Sequence, residues 1–291
     1  MEKVNNQTTN DVLCTPKTYL AFYICLSIVI ILGNVLVVYV CTRKKLFEHP
    51  TWRIQLSLSF VDILTGVIGL NWSIVAIFCP FNSLPMTVTG CVVWLMTFMS
   101  LHQLLLLASE RYIAVTYPLH HAQYMPNARV DKLLVVSWVT ALFIGTCLTI
   151  VFYVDQFILY TLQFLYIIAM VTVMCVLHYK VFKVAKTQQT KITVNVPIIN
   201  RKVIRPKNET RATKTSVIIC AVFIVCLLPT ILFNSLSIIL TALNRPMQNE
   251  SFQTFGYVLN FCLYANSAIN PFIYCMRNRE FRRQLKDICR I

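Results

Sequence analysis

Acids and glycines are what this chain has least of. Eleven Asp and Glu stand against 26 Lys and Arg, and six glycines are spread over 291 residues. So few acids leave no paired carboxylates for general acid and base work, and so few glycines leave no Gly-rich loop to cradle a phosphate. Repeats, zinc-type Cys/His spacing and a second domain are missing too. Twelve cysteines do not amount to a disulfide scaffold, because Cys25, Cys147, Cys175, Cys220, Cys226 and Cys262 fall inside apolar runs as small hydrophobes.

What is there is apolar. Hydrophobic residues make up 57% of the chain and charged ones 13%, with a mean hydropathy of +0.65. A membrane-spanning helix needs about 20 predominantly apolar residues. Seven stretches qualify, at roughly 19–41, 54–79, 87–109, 133–154, 156–179, 213–242 and 252–275. The expected fold is therefore all-α, a bundle of seven transmembrane helices, with Asp62 and the borderline Asp155 the only acids in these runs.

Orientation follows from the bases, since Lys and Arg in short loops stay on the cytoplasmic side. With the N-terminus outside, Arg43, Lys44, Lys45 and Arg53 mark the first inner loop, and Arg111, Arg129 and Lys132 the second. Ten more lie between Lys180 and Lys214 and six between Arg277 and Arg290, leaving only Lys3, Lys17 and Arg245 outside. The net charge of +15 is thus explained by topology and by anionic inner-leaflet lipid, without nucleic acid.

The chain divides into a polar outer tail at 1–18, the bundle at 19–275 and a cytoplasmic end at 276–291. A polar, basic linker with Pro197 and Pro206 runs over about 187–208. Little more than Val154, Asp155 and Gln156 separates the fourth span from the fifth. After the seventh, "RNREFRRQLKDICRI" places Phe281, Leu285 and Ile288 at helical spacing among bases, an amphipathic helix for the inner leaflet, and Cys289 is its palmitoylation candidate. The first span reads as an uncleaved anchor. Asn6 lies in an outer glycosylation sequon, Asn249 in another close to the bilayer, and Cys14 with Cys79 could form one outer bridge.

Two charges inside the bundle need partners. Arg111, at the inner end of the third span, would seek a carboxylate in low dielectric, and Glu110 is its neighbour. Asp62 lies nine residues past Arg53, about 13 Å along a helix and so near the membrane middle, where a carboxylate must be paired, protonated or bound to a cation. Pro229 and Pro271 interrupt backbone hydrogen bonding in the sixth and seventh spans and kink them.

In order along the spans come "GNVLV" (Gly33 to Val37), "LSFVD" ending at Asp62, "ERY" at Glu110, Arg111 and Tyr112, Trp138, "CLLP" ending at Pro229 and "NSAINPFIY" from Asn266 to Tyr274. With these motifs the chain resembles the rhodopsin-like G protein-coupled receptors over nearly its whole length. The resemblance implies a plasma-membrane receptor without an active site, relaying an extracellular or lipid-borne agonist to a heterotrimeric G protein through sixth-helix movement. Arrestin and receptor kinase are further partners it implies. It places Glu209 as a second acid opposite Arg111, with Tyr179 and Tyr274 packing beneath that arginine once it is freed. It also implies a sodium ion among Asp62, Ser100, Asn266, Ser267 and Asn270, and no other cofactor.

The chain departs from the family pattern in several places. Met86 stands where the bridging cysteine of the third span is usual, the short second outer loop has no cysteine, and Val171 replaces the fifth-span proline. These departures resemble the melanocortin branch and its cannabinoid and lysophospholipid relatives, although Trp72, Met86 and Gly90 replace the acids of melanocortin receptors. Val93 excludes an amine site and Tyr264 a retinal lysine, while Leu227 replaces a common tryptophan and leaves room for activity without agonist. By position the pocket comprises Trp72, Val93, Trp94, Thr97, Gln163, Leu227, Asn234, Asn260 and Tyr264, uncharged and suited to a small neutral or lipid-like ligand. A transporter is the rival of another class, but neither repeats nor broken helices around a midplane site are present to support it.

Overall fold

The computed structural model describes residues 5–78, 84–195, 207–243 and 250–289. Eight long helices carry the fold: α1 (Asn5–Arg43), α2 (Pro50–Phe78), α3 (Leu84–Thr116), α4 (Asn127–Val154), α5 (Gln156–Asn195), α6 (Lys207–Ala242), α7 (Glu250–Arg277) and α8 (Arg279–Cys289). Short helical turns over Leu46–Glu48, Pro118–His120 and His121–Tyr124 complete the described elements, and no strand is among them. This is a seven-helix transmembrane bundle followed by an eighth, amphipathic helix.

Helix is forced by the solvent: in hydrocarbon every backbone N–H and C=O must find its partner within the segment. Six helices, α1 to α6, contain stretches long and apolar enough to cross a membrane on length and composition alone. The seventh, α7, is diluted by Asn260, Asn266, Ser267 and Asn270, and crosses because three of these, Asn266, Ser267 and Asn270, are buried in the bundle.

Helix α3 is the hub. It packs on α2, α4, α5 and α6, while α1 closes the ring against α2 and α7, and α6 lies on α7. The core is continuous, from Leu46 and Trp52 at the inner end through Phe98, Leu104 and Phe223 to Leu227 and Ile231. Large apolar side chains such as Phe22, Leu32, Phe143, Phe182 and Val225 point outward, as a lipid-facing surface requires.

The turn between α4 and α5 is as short as the sequence predicts. Asp155 alone is non-helical, and its Oδ1 accepts hydrogen bonds from the backbone of Phe157 (2.7 Å) and Ile158 (3.1 Å), capping α5. Asn278 does the same for α8, accepting from Phe281 N at 3.1 Å. Phe281 is then fully buried, with Leu285 and Ile288 packed on the same core and Arg282, Arg283 and Lys286 exposed.

Two boundaries differ from the sequence reading. Helix α1 starts at Asn5 rather than near residue 19, and α5 runs through the first half of the expected linker to Asn195, with α6 resuming at Lys207. Once a span has nucleated a helix, each added residue contributes one more hydrogen bond, so polar flanks extend it. The side chains of Asn6, Cys14, Met86, Glu209 and Cys289, and the whole of Cys79 and Asn249, lie outside the described residues.

Candidate functional site

The motif residues gather at three depths along the bundle. At the cytoplasmic mouth, the last turns of α3 bury Glu110 and Arg111. Arg111 donates from Nε to Glu110 Oε2 and from Nη2 to Oε1, both at 2.5 Å, a bidentate pair of the kind that satisfies a buried guanidinium. Thr51, in the first turn of α2, stands between the two charges. Its hydroxyl accepts from Arg111 Nη2 and donates to Glu110 Oε1 at 3.2 Å. His121 reaches the same Oε1 at 3.0 Å, and because a carboxylate only accepts, the imidazole donates from Nε2.

The Arg111 partner described is thus Glu110, reinforced by Thr51 and His121. Of the other residues expected around this arginine, Tyr112 lies with its ring 6.0 Å from Lys180 Nζ. Tyr179 is 66% exposed and faces outward, so it does not take the place beneath Arg111 here. Tyr274 is fully buried, its ring 6.2 Å from that of Trp52 and 6.4 Å from that of Phe281. Beside the switch, Arg53 Nη1 binds both oxygens of Asp131 at 2.5–2.6 Å and Asn127 Nδ2 donates to Glu48 O, tying α2 and the first inner loop to α4.

At mid-depth the five expected polar residues do come together as a buried set: Asp62, Ser100, Asn266, Ser267 and Asn270. Asn270 Nδ2 donates to Asp62 Oδ2 at 2.8 Å, while Asp62 Oδ1, Asn266 Oδ1 and Asn270 Oδ1 have no hydrogen-bond partner. Beside them is a cavity of about 20 Å³ lined by Thr97, Ser100, Tyr264, Asn266 and Ser267 among others, enough for a water-sized occupant. Unpartnered oxygens of this kind suit a hard monovalent cation. A carboxylate on one helix and amide oxygens on another can replace water around it.

Helices α1 and α7 meet at this level around Pro271. Pro271 lacks the N–H that would bond Ser267 O, and Asn34 Nδ2 donates to that carbonyl instead at 3.1 Å, as well as to Ile30 O at 3.0 Å. Gly33 makes the approach feasible, since a Cβ there would lie 3.1 Å from Pro271 Cγ. In α6, Pro229 is followed by Thr230, whose hydroxyl reaches Cys226 O (3.3 Å) and Leu259 O (3.2 Å). Trp138 Nε1 joins α4 to α2 at Ser57 Oγ, 2.9 Å.

Toward the outer side a second cavity, about 10 Å³, is lined by Trp94, Tyr160, Gln163, Phe164, Ile167, Ile231, Asn234 and Ser235. It brings together three of the expected pocket residues, Trp94, Gln163 and Asn234. Thr97 and Tyr264 open onto the deeper cavity instead. Val93 packs with Tyr23 and Tyr264, and Trp72 lies against Gly90. Leu227 is fully buried in the core and lines neither of these two cavities, and Asn260 is exposed on α7. Helical spacing from Gln163 and Asn234 would have found Tyr160, Ile167 and Ile231, which lie three or four residues away on the same faces, but not Phe164 or Ser235, the next residues in sequence. No such signal announces Thr51 or His121, which reach Glu110 through loop geometry.

Comparison with known proteins bears on the bundle that holds these residues. The family model described as 7 transmembrane receptor (rhodopsin family) matches residues 33–274. Adenosine receptor A2b of Mus musculus is 25% identical over 94% of this chain and 91% of its own length. For adenosine receptor A2a of Canis lupus familiaris the identity is 24%, with 94% and 72% covered. For adenosine receptor A2b of Bos taurus it is 25%, with 91% and 87% covered.

Proposed function

The chain belongs to the rhodopsin family of 7 transmembrane receptors, and on that premise we propose that it relays an agonist signal across the plasma membrane to an intracellular heterotrimeric G protein. It is a multi-pass membrane receptor, not an enzyme. The observation that carries the coupling reading is the buried Arg111, held at the cytoplasmic mouth by Glu110 and Thr51. An arginine so placed is costly unless paired, and pairing that can be exchanged for a partner's groups makes two bundle states close in energy.

In the resting bundle Arg111 stays with Glu110, and Glu209 at the foot of α6 is the second acid assigned to restrain it. The kinks at Pro229 and Pro271 let the inner ends of α6 and α7 move. Arg111 is then released toward the G protein, with Tyr179 and Tyr274 moving in to support it. Agonist and G protein favour the same state, so each strengthens binding of the other. The N-terminus faces outward, consistent with the distribution of Lys and Arg. Asp62, Ser100, Asn266, Ser267 and Asn270 would hold a sodium ion, which supplies a positive charge that favours the resting state. Arrestin and a receptor kinase would act on the same inner face.

The agonist is a small neutral molecule. Gln163 and Asn234 offer paired donors and acceptors among Trp94, Tyr160 and Phe164, with no charge in the lining. A nucleoside is the first to test, because the relatives above are named adenosine receptors. A cavity this small must open by side-chain movement before a ligand of that size enters.

The test is GTP-analogue loading on a panel of G proteins, in membranes carrying wild type, Glu209→Ala or Arg111→Ala, without ligand and then with nucleosides. Loading above empty membranes that rises with Glu209→Ala and disappears with Arg111→Ala is expected. Undiminished loading by Arg111→Ala at equal surface expression would refute the mechanism.

A further inference from the structure

Three consecutive residues in the first turn of α2 each hold a different element of the cytoplasmic face. Thr51 bridges Arg111 and Glu110 of α3. Trp52, next to it, is buried against α7 and α8, its ring stacked at 5.8 Å on Phe281 and edge-on at 6.2 Å to Tyr274. Arg53 binds Asp131 of α4. Pro50 opens the helix at this point, and the backbone N–H groups of Trp52 and Arg53 both bond His49 O, so the three side chains radiate from one stiff turn.

From this geometry we infer that Thr51 and Trp52 are positioning residues that link the release of Arg111 on α3 to the movement of Tyr274 on α7. The two events take place on helices related at this depth through the α2 turn. Thr51 can satisfy Arg111 and Glu110 together only while its hydroxyl stays between them, and that requires Trp52 to stay wedged between Tyr274 and Phe281. A shift of the Tyr274 ring displaces Trp52, rotates the turn and withdraws the hydroxyl. Withdrawal of Arg111 by a partner acts in the opposite direction and loosens the Tyr274 and Phe281 packing. Tyr274 is able to leave, because its hydroxyl has no hydrogen-bond partner in the buried position.

The inference rests on the coupling reading for its purpose but not for its test. Hydrogen–deuterium exchange on the purified full chain in lipid nanodiscs reads the linkage without G protein. Thr51→Val keeps the side chain's shape and removes its hydroxyl. The segment 270–281, which Thr51 does not touch, is expected to exchange about three- to tenfold faster, the net size of one ordinary intramolecular hydrogen bond. Trp52→Leu should accelerate the segment 107–116 comparably, whereas Thr51→Ser and Trp52→Phe should restore wild-type rates. Acceleration confined to each variant's own contact overturns the linkage. So does equal acceleration at 127–135, where Arg53 holds Asp131, because that would mean the turn merely frays. Should Thr51→Val fail to fold, Trp52→Leu against Trp52→Phe gives the reciprocal measurement alone. GTP-analogue loading on the same variants separates the two ideas: reciprocal acceleration with no loading in any variant counts against coupling and leaves the linkage standing.

Discussion

Replacing Asn34 with Ala should lower stability by about 1–2 kcal/mol, and it should do so because of a proline on another helix. Asn34 is fully buried, and its amide gives hydrogen bonds to Ile30 O and Ser267 O. Ile30 O still has its own helical donor after the substitution, so the loss falls on Ser267 O, which Pro271 cannot serve. Leaving a buried carbonyl unpaired costs about 1–3 kcal/mol. Interhelical bonds in membranes measure nearer 1 kcal/mol because alternative partners are found, which sets the lower part of that range. Asn34 Oδ1 is itself unpartnered, so its removal offsets a little more. At about 2–4 °C per kcal/mol for a chain approaching this size, Tm should fall by about 2–8 °C. A thiol-reactive fluorophore follows the transition, since Cys41 and Cys220 are buried and become reactive only on unfolding. The decisive arm is Pro271→Ala, which returns an N–H to the helix. In that background Asn34→Ala should cost less than in the wild type by at least about 0.5 kcal/mol, the scale of a real pairwise interaction. Equal costs in both backgrounds would refute the claim that Asn34 serves the carbonyl orphaned by Pro271.

Three further outcomes follow from the same contacts. Gly66→Ala would bring a Cβ within 2.7 Å of Ile31 Cγ1 and 3.1 Å of Ser27 O, so overpacking of about 1–3 kcal/mol should outweigh the helix-propensity gain of about 1 kcal/mol, and Tm should fall in the same assay. Trp138→Phe removes the donor to Ser57 and should cost about 0.5–1.5 kcal/mol beyond packing, a difference that disappears in a Ser57→Ala background. If the proposed ion site is real, sodium chloride should raise the Tm of wild type more than choline chloride does, and Asp62→Asn should abolish the difference between the two salts.

The fold was legible in the sequence wherever a single helix decides the matter. Six of the apolar stretches, the short turn around Asp155 and the amphipathic pattern of Phe281, Leu285 and Ile288 all depend on local composition, and each has its counterpart in the structure. Helix ends were less legible, because propagation past the bilayer depends on hydrogen bonds that polar residues make as readily as apolar ones. The polar set at mid-depth was legible in two steps: a carboxylate in an apolar run must be paired, protonated or bound to a cation, which marks Asp62, and the family resemblance implied Asn270 and its neighbours around it. Thr51, His121 and Asp131 were not legible. They lie in a connection or near the start of a helix, where neither spacing nor hydropathy fixes which side chains meet.

The pocket lies between these cases, and α7 shows why. Judged by apolarity it is the weakest span, yet it contributes Asn266, Ser267 and Asn270 to the polar set and Tyr274 to the inner aromatic cluster. A helix crossing a bilayer turns most of its polar side chains toward protein, since lipid offers them no partner, and Asn266, Ser267 and Asn270 do so while Asn260 stays exposed. Low hydropathy in a stretch of spanning length therefore carries information about orientation. The polar face of α7 had to be the interior face, and the oxygens unpaired there had to meet those of α2 and α3. For α5 and α6 the argument is weaker, because Gln163 and Asn234 are single amides in largely apolar membrane-spanning stretches. One residue fixes a face only loosely, so Phe164 and Ser235, each next in sequence to one of these amides, emerge as lining of the outer cavity only once the helices are packed.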